Sequence, residues 1–289
     1  MLSRLLQQPD PQWYSPSPAT EGIRLQYLGT AGFVIQHQGH TVVLDPFVSR
    51  DSLWKTLTQP LYSQPSLVKR LIPAANDVLI GHAHYDHILD APLLCQQTGA
   101  RLIGSSSTAM VGRAAGLADS QLVETTGHED IASGDWTVRG LPSIHGKAVM
   151  GRIPFPGHMT TPPPWPPRIH QLKHGLVLNW LVKTAGLTFA HIDSADFIAE
   201  ELQGHYCDVL CLCAIGRKYR PGYVADAVRL LKPKWVVPCH WDTMITPIEQ
   251  RPNLLPGVDL PGMIVEIEAT GATPIVVPLL GSVHFPPAR

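Results

Sequence analysis

The chain has 289 residues, 44% of them hydrophobic, and its 22 Lys and Arg against 23 Asp and Glu leave a net charge of −1. That composition supplies a buried core and excludes the basic excess of a nucleic-acid surface. No apolar run reaches the roughly 20 residues of a membrane span. The stretch from Met1 to Ser15 lacks the apolar segment of a secretory signal. Five cysteines without framework spacing read as free thiols of a reducing, cytoplasmic compartment. The unusual count is 14 histidines, because imidazole is the commonest side-chain metal ligand.

In chain order, residues 1–20 are polar and proline-rich and predict an extended arm, with residues 21–289 as one domain. Ile23 to Leu28 alternates as a strand. Phe33 to Gln36 and Thr41 to Leu44 predict a hairpin turning at Gln38-Gly39. Asp45-Pro46 ends its second strand, and residues 51–75 read as a loop with a short helix. Asp77 to Ile80 is a short buried strand, followed by a histidine-rich segment and a helix ending near Gly99. Arg101 to Ile103 is a strand. Ser106 or Ser107 then caps a helix running to about Gly116. Trp136 to Leu141 leads to His145. Residues 151–169 form an insertion whose prolines bar it from a sheet centre or a helix interior. Val177 to Lys183 and Leu187 to Ile192 predict a hairpin around Ala185-Gly186. Val209 to Cys213 is a buried strand on which the cysteines act as small apolar residues. Val224, Ala227, Val228 and Leu231 share one helix face. Trp235 to Pro238 delivers His240, and Met263 to Glu268 and Pro274 to Leu279 read as late strands. Hairpins mixed with strand–helix units predict an α/β fold with outer helices, and the two halves faintly echo each other.

The chemistry concentrates in His82-Ala83-His84-Tyr85-Asp86-His87. Gly81 just before it gives the backbone freedom to turn. In extended chain, residues 82 and 84 point to one side, so two imidazoles can reach one ion. If the chain turns into a helix at Asp86, that carboxylate and His87 swing toward a neighbouring point. The spacing therefore suits two adjacent metals. The competing reading is a surface cluster, or core histidines bonded to backbone.

This segment resembles the H-x-H-x-D-H loop of the metallo-β-lactamase fold superfamily. The resemblance implies a four-layer αββα sandwich, two mixed sheets flanked by helices. It extends over about residues 23–245. It implies His82, His84 and His145 on one metal, and Asp86, His87 and His240 on the other. Asp193 would bridge them, with Asp196 as the alternative because Ile192 stands where the family usually has glycine. Asp45 would support the ligand loop from behind. Tyr27 to Phe33, Leu44-Asp45-Pro46 and Leu231 to His240 further resemble the L-ascorbate-6-phosphate lactonase-like branch.

The implied activity is hydrolysis of an ester, lactone or phosphodiester bond of a small substrate by a metal-bridging hydroxide. Asp86 and His240 carry catalysis in this reading, and Asp86 orients the nucleophile and takes up its proton. The cofactors are two divalent ions. Zinc is favoured by nitrogen and carboxylate donors, with manganese or iron as alternatives. The competing functions are a lipid or nucleotide phosphodiesterase, an iron-dependent oxidoreductase, and a metal-stabilised binding protein. Arg217, Lys218 and Tyr219 are candidates to hold a substrate phosphate or carboxylate, against the plainer reading of a solvated loop. The proline-rich insertion is a wall, a lid, a surface loop or a dimer contact. A homo-oligomer is compatible with the sequence. His191 reads as a core histidine.

Overall fold

Two hairpin-then-parallel units, one from each half of the chain, lay down the two sheets. The computed structural model describes residues 7–148, 150–184 and 186–287. In the first half, β1 (Ile23–Gly29), β2 (Gly32–His37) and β3 (His40–Leu44) run antiparallel. Gln38 and Gly39 both have positive φ, 48° and 82°, the two-residue turn whose twist suits a hairpin. The chain then crosses over to β4 (Asp77–Leu79), β5 (Arg101–Gly104) and β6 (Leu122–Glu124), all parallel to β3. The second half repeats the plan. β7 (Asp130–Ser133), β8 (Trp136–Ser143), β9 (Val177–Lys183) and β10 (Thr188–Ile192) are antiparallel. β11 (Val209–Cys213), β12 (Trp235–Cys239) and β13 (Thr273–Pro274) then continue parallel to β10. β14 (Ser282–Phe285) returns to pair with β1. Among the described residues each sheet has seven strands, ordered β14-β1-β2-β3-β4-β5-β6 and β13-β12-β11-β10-β9-β8-β7.

Among the described residues, eight short helices accompany them: α1 (Leu53–Thr58), α2 (Pro65–Leu71), α3 (Tyr85–Ile88), α4 (Ala91–Thr98), α5 (Ser106–Ala114), α6 (Ala199–Leu202), α7 (Tyr223–Leu231) and α8 (Leu260–Ala269). One apolar cluster fills the space between the sheets with Tyr27, Phe33, Trp180 and Phe189, and continues through the second sheet to α7 and α8. A second lies between the first sheet and α2, α4 and α5. Helices therefore cover the outer face of each sheet, as expected from the sequence. The αββα order follows from apolar residues on both faces of the central strands.

Several local readings change. Ser105, not Ser106 or Ser107, caps α5 by accepting a hydrogen bond from the Thr108 amide at 3.4 Å. Ser107 instead accepts the Met159 amide at 3.0 Å. Met263 to Glu268 is helical, within α8. Leu260, Met263 and Ile267 are its buried residues, and the side chain of Asp259 caps it through the Gly262 amide at 2.9 Å. Of Pro274 to Leu279, only Pro274 joins a ladder, at the end of β13. Val276 pairs instead with the arm, exchanging hydrogen bonds with Ser15 at 3.0 Å. The described part of the arm, from residue 7, packs Trp13 and Tyr14 on the main core. Residues 1–6 and the predicted turn residue Ala185 lie outside the described residues.

Candidate metal centre

Five strands end at one place. β3, β4, β8, β10 and β12 all run the same way within their sheets. Their C-terminal ends carry Asp45, the 82–87 segment, His145, Asp193 and His240 in turn. Ligands of open α/β sheets sit outside these strand ends.

The 82–87 segment is extended at its start and turns into α3 at Tyr85, as the sequence implied. Gly81 serves a purpose the sequence reading missed. A Cβ there would lie 2.1 Å from Asp193 Oδ2, so the residue is small because the facing carboxylate comes so close. The second half of the chain holds the segment: the Leu178 amide of β9 donates to the Gly81 carbonyl at 2.8 Å, and the Ala83 amide donates to the carbonyl of His174, just before β9, at 2.8 Å. Asp45 grips it from behind. Its Oδ1 accepts the Gly81 amide at 2.7 Å and its Oδ2 lies 2.9 Å from His87 Nδ1. That contact fixes the His87 tautomer and leaves Nε2 facing the centre. His145 is fixed the same way, donating from Nδ1 to the Gly146 carbonyl at 2.7 Å.

Three overlapping groups result, each with its donor atoms within 4.8 Å of one another: His82, His84 and His145; His82, His87 and Asp193; Asp86, His87 and His240. His82 Nε2 and His84 Nδ1 are 3.0 Å apart. Asp193 Oδ2 lies 2.5 Å from His82 Nδ1 and 3.6 Å from His87 Nδ1, between the outer two groups. His240 Nε2 is 3.3 Å from Asp86 Oδ2. Apart from half-buried His145, these side chains are buried. Yet His84 Nε2, His240 Nδ1 and Asp193 Oδ1 have no hydrogen-bond partner. Buried polar atoms are normally satisfied, so a His and Asp cluster that leaves three of its atoms unpaired fits a cation. Nitrogen and carboxylate donors are those that divalent zinc, manganese or iron accept.

Electrostatics agrees for the first of these groups. Burial, with the other histidines, pushes His82 well below its ordinary pKa. Burial likewise lowers His84 to about 3 and His145 to about 4, so all three are the neutral, ligating form at pH 7. Burial raises Asp86, but the adjacent His87 and His240 outweigh it and hold the carboxyl well below the usual carboxylate range. Burial lowers His87, while Asp45 and Asp86 more than reverse this and lift it to about 9. Three non-glycine residues at these strand ends have positive φ, namely Thr30 at 49°, Asp45 at 42° and His240 at 56°. Such strain persists where the surroundings over-determine it. Here the His240 amide donates to the Thr30 carbonyl at 2.5 Å.

Residues 24–240 match the family described as beta-lactamase superfamily domain. The chain belongs to that superfamily. A UPF0173 metal-dependent hydrolase of Methanopyrus kandleri is 28% identical over 240 residues, spanning 80% of this chain and 89% of its own. A metallo hydrolase from the archaeon Ignicoccus hospitalis has the same fold, with a TM-score of 0.60 at 18% identity over 90% of this chain and 97% of that one. The diiron β-hydroxylase CmlA of Streptomyces venezuelae shares it too, with a TM-score of 0.58 at 16% identity over 93% of this chain and 55% of its own.

Above the 82–87 segment is a cavity of about 680 Å³. Asp86, His87, His145, Asp193 and His240 line it with His82 and His84. The other sequence candidates lie elsewhere. Arg217 is engaged by Asp259 at 3.2 Å and Glu266 at 3.3 Å. Lys218 is exposed beside the Tyr219 ring, and none of the three lines the cavity. Asp196 pairs with Arg220. His191 is buried edge-on against Phe33, as a core residue. The cation that does line the cavity is Arg152, which makes no ion pair among the described residues. It sits in the proline-rich insertion, whose Ile153, Pro154 and Phe155 form a wall. Arg168 anchors that wall to α1 by donating to the Thr58 carbonyl at 2.6 Å. No periodicity marks Arg152; only its place among the prolines of an ordered long loop could have flagged it.

Proposed function

We propose that this protein is a metal-dependent hydrolase that binds two divalent ions side by side and cleaves an ester, lactone or phosphodiester bond of a small molecule. The observation that carries the reading is the convergence of seven His and Asp side chains, drawn from four strand ends, on the floor of one cavity. The names of relatives such as the Methanopyrus kandleri protein agree with it. His82, His84 and His145 would hold one ion, Asp86, His87 and His240 the other, and Asp193 would lie between them. Zinc is the ion favoured, with manganese and iron as the alternatives. Bound divalent ions supply a nucleophile at neutral pH, by lowering the pKa of water to about 7, and neutralise charge on the substrate oxygen.

The chain's own residues do the rest. Asp45 orients His87 and locks the loop through Gly81. Asp86, ionised at neutral pH, is placed to orient an attacking water and receive its proton. The apolar wall excludes bulk water and strengthens each electrostatic contact at the floor. The lactonase-like resemblance and the even charge favour a small-molecule substrate over RNA.

The test is metal quantification of the purified protein, followed by assays on lactones, phosphodiesters and thioesters. We expect close to two ions per chain, and a His84→Ala variant that loses both metal and activity. Full turnover by protein stripped of metal refutes the reading.

A further inference from the structure

Above its polar floor the cavity is walled by hydrocarbon. Leu53 and Leu57 stand one turn apart on α1, Ile153 and Phe155 come from the insertion, and Ile215 and Met244 from loops after β11 and β12. Leu53, Leu57 and Ile153 remain 42%, 57% and 36% exposed. Single exposed apolar residues are ordinary, but a contiguous group at the mouth of a cavity marks a binding surface. The volume, about 680 Å³, falls within the range of small-molecule sites.

Resting on the hydrolase reading above, we infer that the substrate carries an alkyl or acyl chain beside its scissile bond. The chain lies along Leu57, Ile153 and Phe155, and the reacting carbon or phosphorus sits over the His and Asp floor. A polyhydroxylated substrate is disfavoured. Its hydroxyls would face these side chains with no partner, and unpaired buried polar groups are costly. Arg152 is the lining's lone Arg or Lys among the described residues, so the wall offers little else to a polar chain.

The experiment uses the metal-loaded protein and 4-nitrophenyl esters from acetate to octanoate. Each methylene seated against the wall raises kcat/KM about fourfold until the cavity is filled. Binding of hexanoate and acetate, which are not turned over, is measured by calorimetry on the same sample. Hexanoate binds about 200-fold more tightly if four methylenes are fully buried. A Leu57→Asp, Ile153→Asp variant flattens both series, and circular dichroism confirms that it is folded. A flat or falling ester series together with equal affinity for the two carboxylates overturns the inference. Absence of turnover on every ester, with hexanoate still preferred, removes ester hydrolysis but keeps the apolar-chain site.

Discussion

Behind His240 lies a buried ion pair that gives the sharpest test of how the centre is held. Arg50 Nη1 donates to Asp242 Oδ2 at 2.7 Å and to the Thr243 carbonyl at 2.8 Å. Both side chains are 1% exposed. Asp242 Oδ1 accepts the Thr30 amide at 2.8 Å and is hydrogen-bonded to the Tyr27 hydroxyl. Thr30 in turn receives the His240 amide. In Asp242→Asn the Oδ1 contacts survive, but an amide NH₂ faces the guanidinium and Arg50 is left as an uncompensated buried charge. Breaking such a pair costs about 3–5 kcal/mol. At roughly 2 °C per kcal/mol for a chain of this size, the melting temperature falls by about 6–10 °C. Adding Arg50→Met removes the orphaned charge, so the double variant recovers half or more of that loss. Thermal denaturation of the four proteins of the cycle, with metal content measured alongside, is the assay. If Asp242→Asn melts within about 2 °C of the parent, the pair does not hold the His240 loop and the reasoning fails.

Removing the hydrogen bond that orients His87, by Asp45→Asn, should weaken metal binding about 10–100-fold while leaving the fold intact, measured by chelator competition. Metal uptake should also depend on pH. His87 is held protonated up to about 9 and must lose its Nε2 proton to ligate. Affinity therefore rises by about tenfold per unit from pH 7 and levels off above about 9; a flat profile over that interval speaks against His87 as a ligand. Arg152→Ala should raise KM for carboxylate- or phosphate-bearing substrates by about 10–100-fold, the worth of a charged hydrogen bond, and leave neutral ones unchanged. Arg217→Ala, whose partners are exposed, should change neither. All five cysteines are buried, and burial pushes the Cys95 thiol up to about 12. Ellman's reagent at pH 8 should therefore label none until denaturant is added; rapid labelling of the native protein contradicts the packing.

The central elements were legible because both of their signals are local. Val42 to Leu44 and Val236 to Val237 are short apolar runs that end in chemistry-bearing residues, and β3 and β12 follow them. The residues of the 82–87 segment meet because a strand end fixes two side chains and one helical turn fixes the other two. Elsewhere the local signal misleads. Val265 and Ile267 alternate with Glu266 and Glu268 like an edge strand, but the pattern of burial is helical, and Asp259-Leu260-Pro261 was the overlooked start signal. β14 could not be found locally, since Ser282–Phe285 gains its ladder from β1, more than 250 residues away. Arg217 was misjudged for a related reason. Two adjacent cations suggest an anion site, but only the fold shows that the charges nearest Arg217, Asp259 and Glu266, arrive from the start of α8 and from its body.

The echo between the halves explains why the site lies where it does. Each half begins with antiparallel strands and then switches to parallel ones, at β3 in the first sheet and β10 in the second. At each switch the chain leaves the C-terminal end of the strand, the side on which ligands of α/β sheets are bound. With the two sheets face to face, the two reversals lie at the same edge, and Asp45 and Asp193 are the residues that leave them. His87 Nδ1 stands 2.9 Å from the first carboxylate and 3.6 Å from the second. One imidazole thus ties together the switch points of both halves. A substitution there, His87→Ala, should loosen the packing between sheets as well as metal binding, whereas His84→Ala, whose side chain pairs with neither Asp45 nor Asp193, should affect metal alone. Hydrogen exchange at β3 and β10 in the two metal-free variants separates these outcomes, and equal protection in both would show that the sheets are joined by their apolar faces without help from the centre.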